Sequence, residues 1–153
     1  MTQILRIRIS AAVLVVVAAF ICVACGGTSV GDPPKQVVIK LFGAMERNDR
    51  GAIANSLDLA ALMQGVDADY ALQVEPPRRF ALPTEILTDL TDSGRTKQVW
   101  FSMQRVIGDE EKNGDTAFVE VSFVNKETGV QYFNKFGLRR QNGHWRIFAF
   151  RTM

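Results

Sequence analysis

Three polar residues near the end of the chain could act on a bound molecule. Tyr132, Asn134 and Arg151 lie in two segments that alternate apolar and polar residues, as β-strands do. The Asn142-Gly143 turn between the segments predicts a register that brings all three to one end of the inner face of a sheet. A phenol, a carboxamide and a guanidinium could bind a small ligand or assist acid–base catalysis. The plainer alternative is that these groups are simply hydrated at the open end of the sheet.

Other side chains that commonly carry out chemistry are scarce. The chain has one histidine, His144, which excludes a multi-histidine metal site. This histidine follows a turn glycine, where a solvent-exposed side chain is expected. No serine lies in a nucleophile-elbow pattern, and no glycine-rich segment has the context of a phosphate loop. The sequence therefore predicts neither a metal nor a cofactor, and it favours binding over catalysis.

The first 24 residues have the pattern of a secretory signal. Arg6 and Arg8 precede an apolar run, and small residues follow up to Ala24. The run has about 14–16 apolar residues before Gly26, fewer than the roughly 20 that a transmembrane helix needs. We expect this segment to direct export and then to be removed. An uncleaved membrane anchor is the alternative.

The end of this segment, Cys22-Val23-Ala24-Cys25, resembles the lipobox of bacterial lipoproteins, although Cys22 stands where leucine is usual. The resemblance implies that the signal is cleaved after Ala24 and that Cys25 carries a diacylglycerol thioether. Such a protein is anchored through lipid on the outer side of the cytoplasmic membrane, or on the outer membrane where the host has one. Because Cys22 leaves with the signal, no disulfide is expected in the mature domain.

Length and charge predict a single exported domain with no affinity for nucleic acid. The 153 residues divide into a signal (1–24), a tether (25–32) and one domain (33–153). A hydrophobic content of 47% excludes a disordered chain. Without Arg6 and Arg8, the 18 basic residues become 16 and equal the 16 acidic residues. A neutral domain has no overall field to attract nucleic acid.

The elements that would position the polar residues begin with three helices. Apolar periodicity and helix-breaking residues place them at about 33–47, 53–63 and 83–92. Asp32 is expected to cap the first helix, and Pro33-Pro34 suits its first turn.

Four strands are then expected at about 99–107, 117–123, 130–140 and 144–151. The turn lengths predict the antiparallel pairs Val119–Phe136, Glu120–Lys135, Leu138–Ile147, Phe136–Ala149 and Arg139–Arg146. One face of the sheet would then collect the apolar residues Val119, Val121, Phe123, Tyr132, Phe136, Leu138, Trp145 and Ile147.

Residues 33–57 resemble the opening helices of the nuclear transport factor 2-like superfamily, and Gly143-His144-Trp145-Arg146-Ile147 resembles its last strand. The resemblance implies an α+β domain in which three N-terminal helices precede a curved four-stranded antiparallel meander. The meander would wrap around the first helix as a cone, and a cystatin-like sheet is the near neighbour.

The same resemblance bears on function. Small bacterial lipoproteins of this type are its nearest likeness, and we expect a non-enzymatic role: binding of a small apolar ligand or of an envelope protein. Because many domains of this class dimerise through the sheet, the resemblance also implies a possible homodimer. The alternative is an isomerase or dehydratase acting inside the cone. Isomerases of the superfamily carry a tyrosine on the first helix, whereas this helix offers only apolar residues such as Leu41 and Phe42 on its stripe.

Overall fold

The computed structural model describes residues 31–64 and 80–152, with side chains up to Phe150. The predicted signal, the lipidation site Cys25 and the segment 65–79 lie outside the described residues. Within them, five helices precede the sheet: α1 Pro34–Glu46, α2 Arg50–Ser56, α3 Leu59–Gln64, α4 Pro83–Asp89 and α5 Arg95–Ser102. The four strands are β1 Gln104–Asn113, β2 Thr116–Val124, β3 Gln131–Gln141 and β4 His144–Thr152. The α+β class is confirmed, whereas the helices exceed the three expected.

Helix α1 carries the predicted apolar stripe and packs against β1, β2 and β4. Val38, Leu41 and Met45 on this stripe are fully buried. The expected cap is wrong: Pro33 holds the N-cap position of α1 and makes no side-chain capping hydrogen bond. The Asp32 carboxylate accepts a hydrogen bond from Lys40 Nζ at 2.6 Å. The side chain of Glu110, from β1, instead accepts the free backbone N–H of Lys35 at 2.9 Å.

The second predicted helix is two helices, α2 and α3, separated at Leu57 and Asp58. Leu57 forms an isolated parallel bridge with Ile147, and the backbone N–H of Asp58 donates to the Ile147 carbonyl at 2.7 Å. The Asp58 carboxylate then accepts the N–H of Ala61 at 3.1 Å and caps α3. The edge of β4 therefore interrupts a helix that local periodicity predicts to be continuous.

Helix α5 lies where the sequence predicts the start of the first strand. The Asp89 carboxylate accepts the backbone N–H groups of Arg95 at 3.1 Å and Thr96 at 3.3 Å, and it also binds the Thr96 hydroxyl. This cap starts the helix even though Thr96 and Val99 are β-branched and favour strands. As a result, Trp100 is fully buried on a helix and not on a strand.

The sheet is an antiparallel meander of order β1-β2-β3-β4. The pairs Val119–Phe136, Glu120–Lys135, Leu138–Ile147 and Arg139–Arg146 are confirmed. Phe136 pairs with Phe150 and not with Ala149, because a bulge at Phe148 shifts the β3–β4 register by one residue. The predicted inner face is confirmed as apolar core, with Tyr132 only half-buried.

Glycine at position 137 makes room for the bulge. A Cβ atom there would lie 2.9 Å from Cζ of Phe148. The Phe148 ring therefore covers the backbone of Gly137, and it also lies 5.9 Å from the Arg139 guanidinium carbon. The bulge is what brings Phe150 to the inner face, where it is fully buried.

Candidate functional site

An aromatic cluster lies between α1, α5 and the inner face of the sheet. Trp100 is at its centre, and the ring-centroid distances from its indole are 5.8 Å to Phe42, 5.3 Å to Phe123, 5.5 Å to Phe136 and 5.4 Å to Phe150. These distances fall within the range of favourable aromatic contacts. The space between α1, α5 and the sheet is thus strongly apolar around Trp100.

Two side chains in this space nevertheless bury polar atoms that have no hydrogen-bond partner in the part of the chain that the structure describes. The first is Trp100, whose indole Nε1 finds no hydrogen-bond acceptor among the described residues. A buried tryptophan N–H usually has an acceptor, and leaving such a donor unpaired costs about 1–3 kcal/mol. Sequence reasoning missed this residue because it placed Trp100 on a strand. Asp89 caps α5 by accepting the backbone N–H of Thr96. The short separation of Asp89, Gly94 and Thr96 in the sequence was the signal that could have predicted this helix.

The second is Asn134, which the sequence predicts as a ligand-binding residue. It lies on β3 with no exposed surface, and neither its Nδ2 nor its Oδ1 has a hydrogen-bond partner among the described residues. Buried side-chain amides are normally bonded, since a native structure tolerates only a few exceptions. An amide with both polar atoms unpaired among the described residues is therefore a candidate group for binding a ligand.

The strand register places these two groups around the same pair of rings. Asn134 is two residues from Phe136 on β3 and therefore shares its face of the sheet. It pairs with Val121 on β2, which is two residues from Phe123. Trp100 contacts both phenylalanine rings from the helix side. The carboxamide and the indole N–H thus border one aromatic surface.

The other two predicted site residues are placed differently. Tyr132 pairs with Phe123, is half-buried and packs against the core at the same end of β3. The β3–β4 register puts the backbone of Arg151 opposite Lys135, one position from the predicted pairing, because of the bulge at Phe148. The side chain of Arg151 lies outside the described ones. Its role in ligand binding stays a prediction, as do those of Tyr132 and Asn134.

Two carboxylates are buried in the described part, and both are occupied by structural hydrogen bonds. Asp89 caps α5. Asp58 accepts Arg139 Nε at 2.7 Å and also binds Gln141 Nε2. Burial raises the pKa of Asp58. Two effects lower it by more: the hydrogen bonds from Arg139, Ala61 and Gln141, and the positive charge of Arg139. The pKa of Asp58 therefore lies below its usual value. Neither group is placed as a general base.

The chemistry of the inner site follows from its groups. The indole offers one donor, and the carboxamide offers two donors and one acceptor oxygen. Both are neutral, so they suit a neutral hydroxyl, carbonyl or amide on an otherwise apolar molecule. Among the described residues, no group of three or more His, Cys, Asp or Glu side chains could hold a metal ion. The one histidine, His144, is exposed, as its position after a turn predicts.

Comparison with known proteins gives one structural relative. A designed nuclear transport factor 2-like protein, a five-substitution variant of Rd1NTF2_05, matches with a TM-score of 0.51 and 10% sequence identity. The match covers 77% of this chain and 94% of the designed protein. The fold is nuclear transport factor 2-like. At this identity the match shows the architecture alone. No family model and no curated protein matches the chain.

The nuclear transport factor 2-like fold is compatible both with ligand-binding proteins and with enzymes. Among the described residues, no helix is long and apolar enough to cross a membrane.

Proposed function

We propose that the protein is a lipid-anchored envelope protein whose nuclear transport factor 2-like domain binds a small apolar ligand carrying a neutral polar group. The observation that carries the binding role is the carboxamide of Asn134, which is fully buried beside an aromatic cluster and has no hydrogen-bond partner among the described residues. A ligand hydroxyl or carbonyl would satisfy this amide and the indole N–H of Trp100. The ring surface of Phe123 and Phe136 would contact the apolar part.

Thermal unfolding of the full-length protein in detergent micelles tests the binding role. Fractions of host envelope extract are added, and a ligand at about 100 times its Kd raises stability by about 2.7 kcal/mol. The fraction that stabilises the wild type should leave Asn134→Leu unchanged. The control Asn125→Leu alters an exterior turn amide, and it should respond as the wild type does. An equal response from Asn134→Leu would refute the inner site.

The lipid anchor is supported by the sequence of residues 22–25 alone. Labelled fatty acid should enter the wild-type protein in its host but not the Cys25→Ala variant. Cys22→Ala is the matched control, because it removes a thiol three residues away and should still be labelled. Labelling of Cys25→Ala at the wild-type level would contradict the proposal.

A protein partner on the outer face of the sheet is the second candidate function. Val106, Ser122 and Phe133 form one row across β1, β2 and β3. The two apolar ends of this row are exposed, at 46% for Val106 and 37% for Phe133. A photo-reactive residue at position 133 should then cross-link a second copy or another envelope protein in intact cells. A monomeric product alone would remove this candidate.

A further inference from the structure

A polar cleft lies between α1, α2 and β4. Its volume is about 280 Å³, and its lining includes Lys40 from α1, Asn55 from α2, and His144 and Arg146 from β4. Asp32 and Ser56 also line it, so the cleft gathers three basic side chains, one carboxylate, one amide and one hydroxyl from elements that are distant in sequence.

The charges in the cleft are only partly compensated. Lys40 is paired with Asp32 at 2.6 Å, and both are largely exposed. Within residues 31–64 and 80–150, no hydrogen bond or ion pair engages the side chains of His144 or Arg146. The neighbouring arginine across the hairpin, Arg139, is instead tied to Asp58. Arg146 thus has no counter-charge among the described residues.

The cleft also lies where the domain meets its tether. A Cβ atom on Gly31 would lie 2.9 Å from the Gly143 carbonyl oxygen and 3.1 Å from His144 Nδ1. Gly31 is thus held closely against the β3–β4 turn beside the cleft. Six residues of extended chain reach at most about 22 Å, so an acylated Cys25 would keep this part of the domain close to the membrane surface.

We propose that the Lys40–His144–Arg146 cleft binds the phosphate group of an anionic membrane lipid. Arginine and lysine are the side chains that most often bind phosphate, and the Asn55 amide adds a neutral donor. The contact would fix which end of the domain faces the membrane. It rests on the proposed anchor at Cys25, and it is independent of the ligand inside the cone.

The single histidine makes the test specific, because its imidazole signal in NMR spectra needs no assignment. Full-length protein is placed in nanodiscs of phosphatidylcholine, or of equal parts phosphatidylcholine and phosphatidylglycerol, at one fixed pH. The His144 signal should move in the discs that contain phosphatidylglycerol. Inorganic phosphate added to phosphatidylcholine discs at the same phosphate concentration should move it much less.

Charge-removing variants identify the site. Lys40→Gln and Arg146→Gln should each raise, by about fivefold, the phosphatidylglycerol fraction needed for half of the shift. Arg47→Gln removes an equal charge at the exposed far end of α1 and should leave that fraction unchanged. An unmoved His144 signal, or equal effects of all three variants, would overturn the proposal.

Two further outcomes separate this site from its alternatives. An equal shift with inorganic phosphate would assign the cleft to a free anion and overturn the lipid assignment. The intact mass of the protein in the discs shows independently whether Cys25 is acylated. An acylated protein with an unmoved His144 signal refutes the cleft, whereas an unacylated protein refutes the anchor on which it rests.

Discussion

Replacing Asn134 with leucine should make the protein more stable while abolishing ligand binding. In the unliganded protein, neither polar atom of this buried amide is bonded among the described residues. Burying an amide without partners costs about 1–3 kcal/mol in mutational data. Leucine has a similar size and no polar atoms, so it removes this cost and adds apolar contact with the aromatic cluster. The expected gain in unfolding free energy is therefore about 1–3 kcal/mol.

Urea denaturation of the ligand-free full-length protein measures this gain, with the fluorescence of Trp100 and Trp145 as the probe. For a domain of this size, each kcal/mol also moves Tm by about 4 °C. Asn125→Leu is the matched control because the Asn125 carboxamide oxygen accepts the backbone N–H groups of Glu127 at 2.9 Å and Thr128 at 3.2 Å. This control should lose about 1–2 kcal/mol of stability.

The opposite signs of these two changes are the informative result. A loss of stability in Asn134→Leu would mean that the amide is bonded in the unliganded protein, and the argument for the inner site would be refuted. A gain in both variants would show that the effect is general to leucine and unrelated to the unpaired amide. A gain in Asn134→Leu alone would fit the common observation that binding sites are less stable than they could be.

Three further predictions concern the framework of the site. Asp58→Asn should lose about 1–2 kcal/mol at neutral pH, since the charge-assisted bonds from half-exposed Arg139 are weakened. Because the pKa of Asp58 is lowered in the folded protein, this contribution is lost as pH falls through that pKa. The difference in unfolding free energy between Asp58→Asn and the wild type, measured by urea denaturation, should therefore shrink below about pH 4. A difference that grows towards acid would contradict the ion pair. Gly137→Ala should lower the stability measured by thermal unfolding by about 1 kcal/mol, because the new Cβ would lie 2.9 Å from the Phe148 ring. Adding Phe148→Leu to this variant should restore most of the lost stability. If the stability is not restored, that contact is not the cause. Asp89→Ala should cost about 2 kcal/mol, because α5 loses the carboxylate that accepts its first backbone N–H groups. The near-ultraviolet circular dichroism, to which Trp100 on α5 contributes, should weaken. An unchanged spectrum would show that Asp89 does not hold the helix.

The sheet was predictable from the sequence because its signals are local. The alternation of apolar residues and the Asn-Gly turns predict both the inner face and pairs such as Glu120–Lys135 and Leu138–Ile147. The Phe136–Phe150 pair was not predictable, since the bulge at Phe148 depends on a ring that covers Gly137 across the sheet.

The helices show where local periodicity is insufficient. The break between α2 and α3 arises because Leu57 and Asp58 bond to Ile147, which is about 90 residues away in sequence. Helix α5 depends on a cap from Asp89 and on the burial of Trp100, and both overcome the strand preference of its β-branched residues.

The candidate site also has one part that the sequence predicts and another that it does not. The sequence predicts Asn134 as a site residue because it is a polar residue on the apolar face of β3, and the alternation of apolar and polar residues along the strand identifies that face. It does not predict Trp100, whose role depends on the unexpected helix. The basic cleft of Lys40, His144 and Arg146 is also invisible in the sequence, since its members come from α1 and β4.

Native mass spectrometry of the acylated full-length protein, purified from its host envelope and released from micelles, tests the binding role most directly. We expect a reproducible extra mass on the wild type, whose fragmentation identifies an apolar molecule with a hydroxyl, carbonyl or amide group. The same mass should be present on Asn125→Leu and lost from Asn134→Leu. Folded wild-type protein without any added mass, or an equal mass on Asn134→Leu, would contradict binding of a ligand by the buried amide.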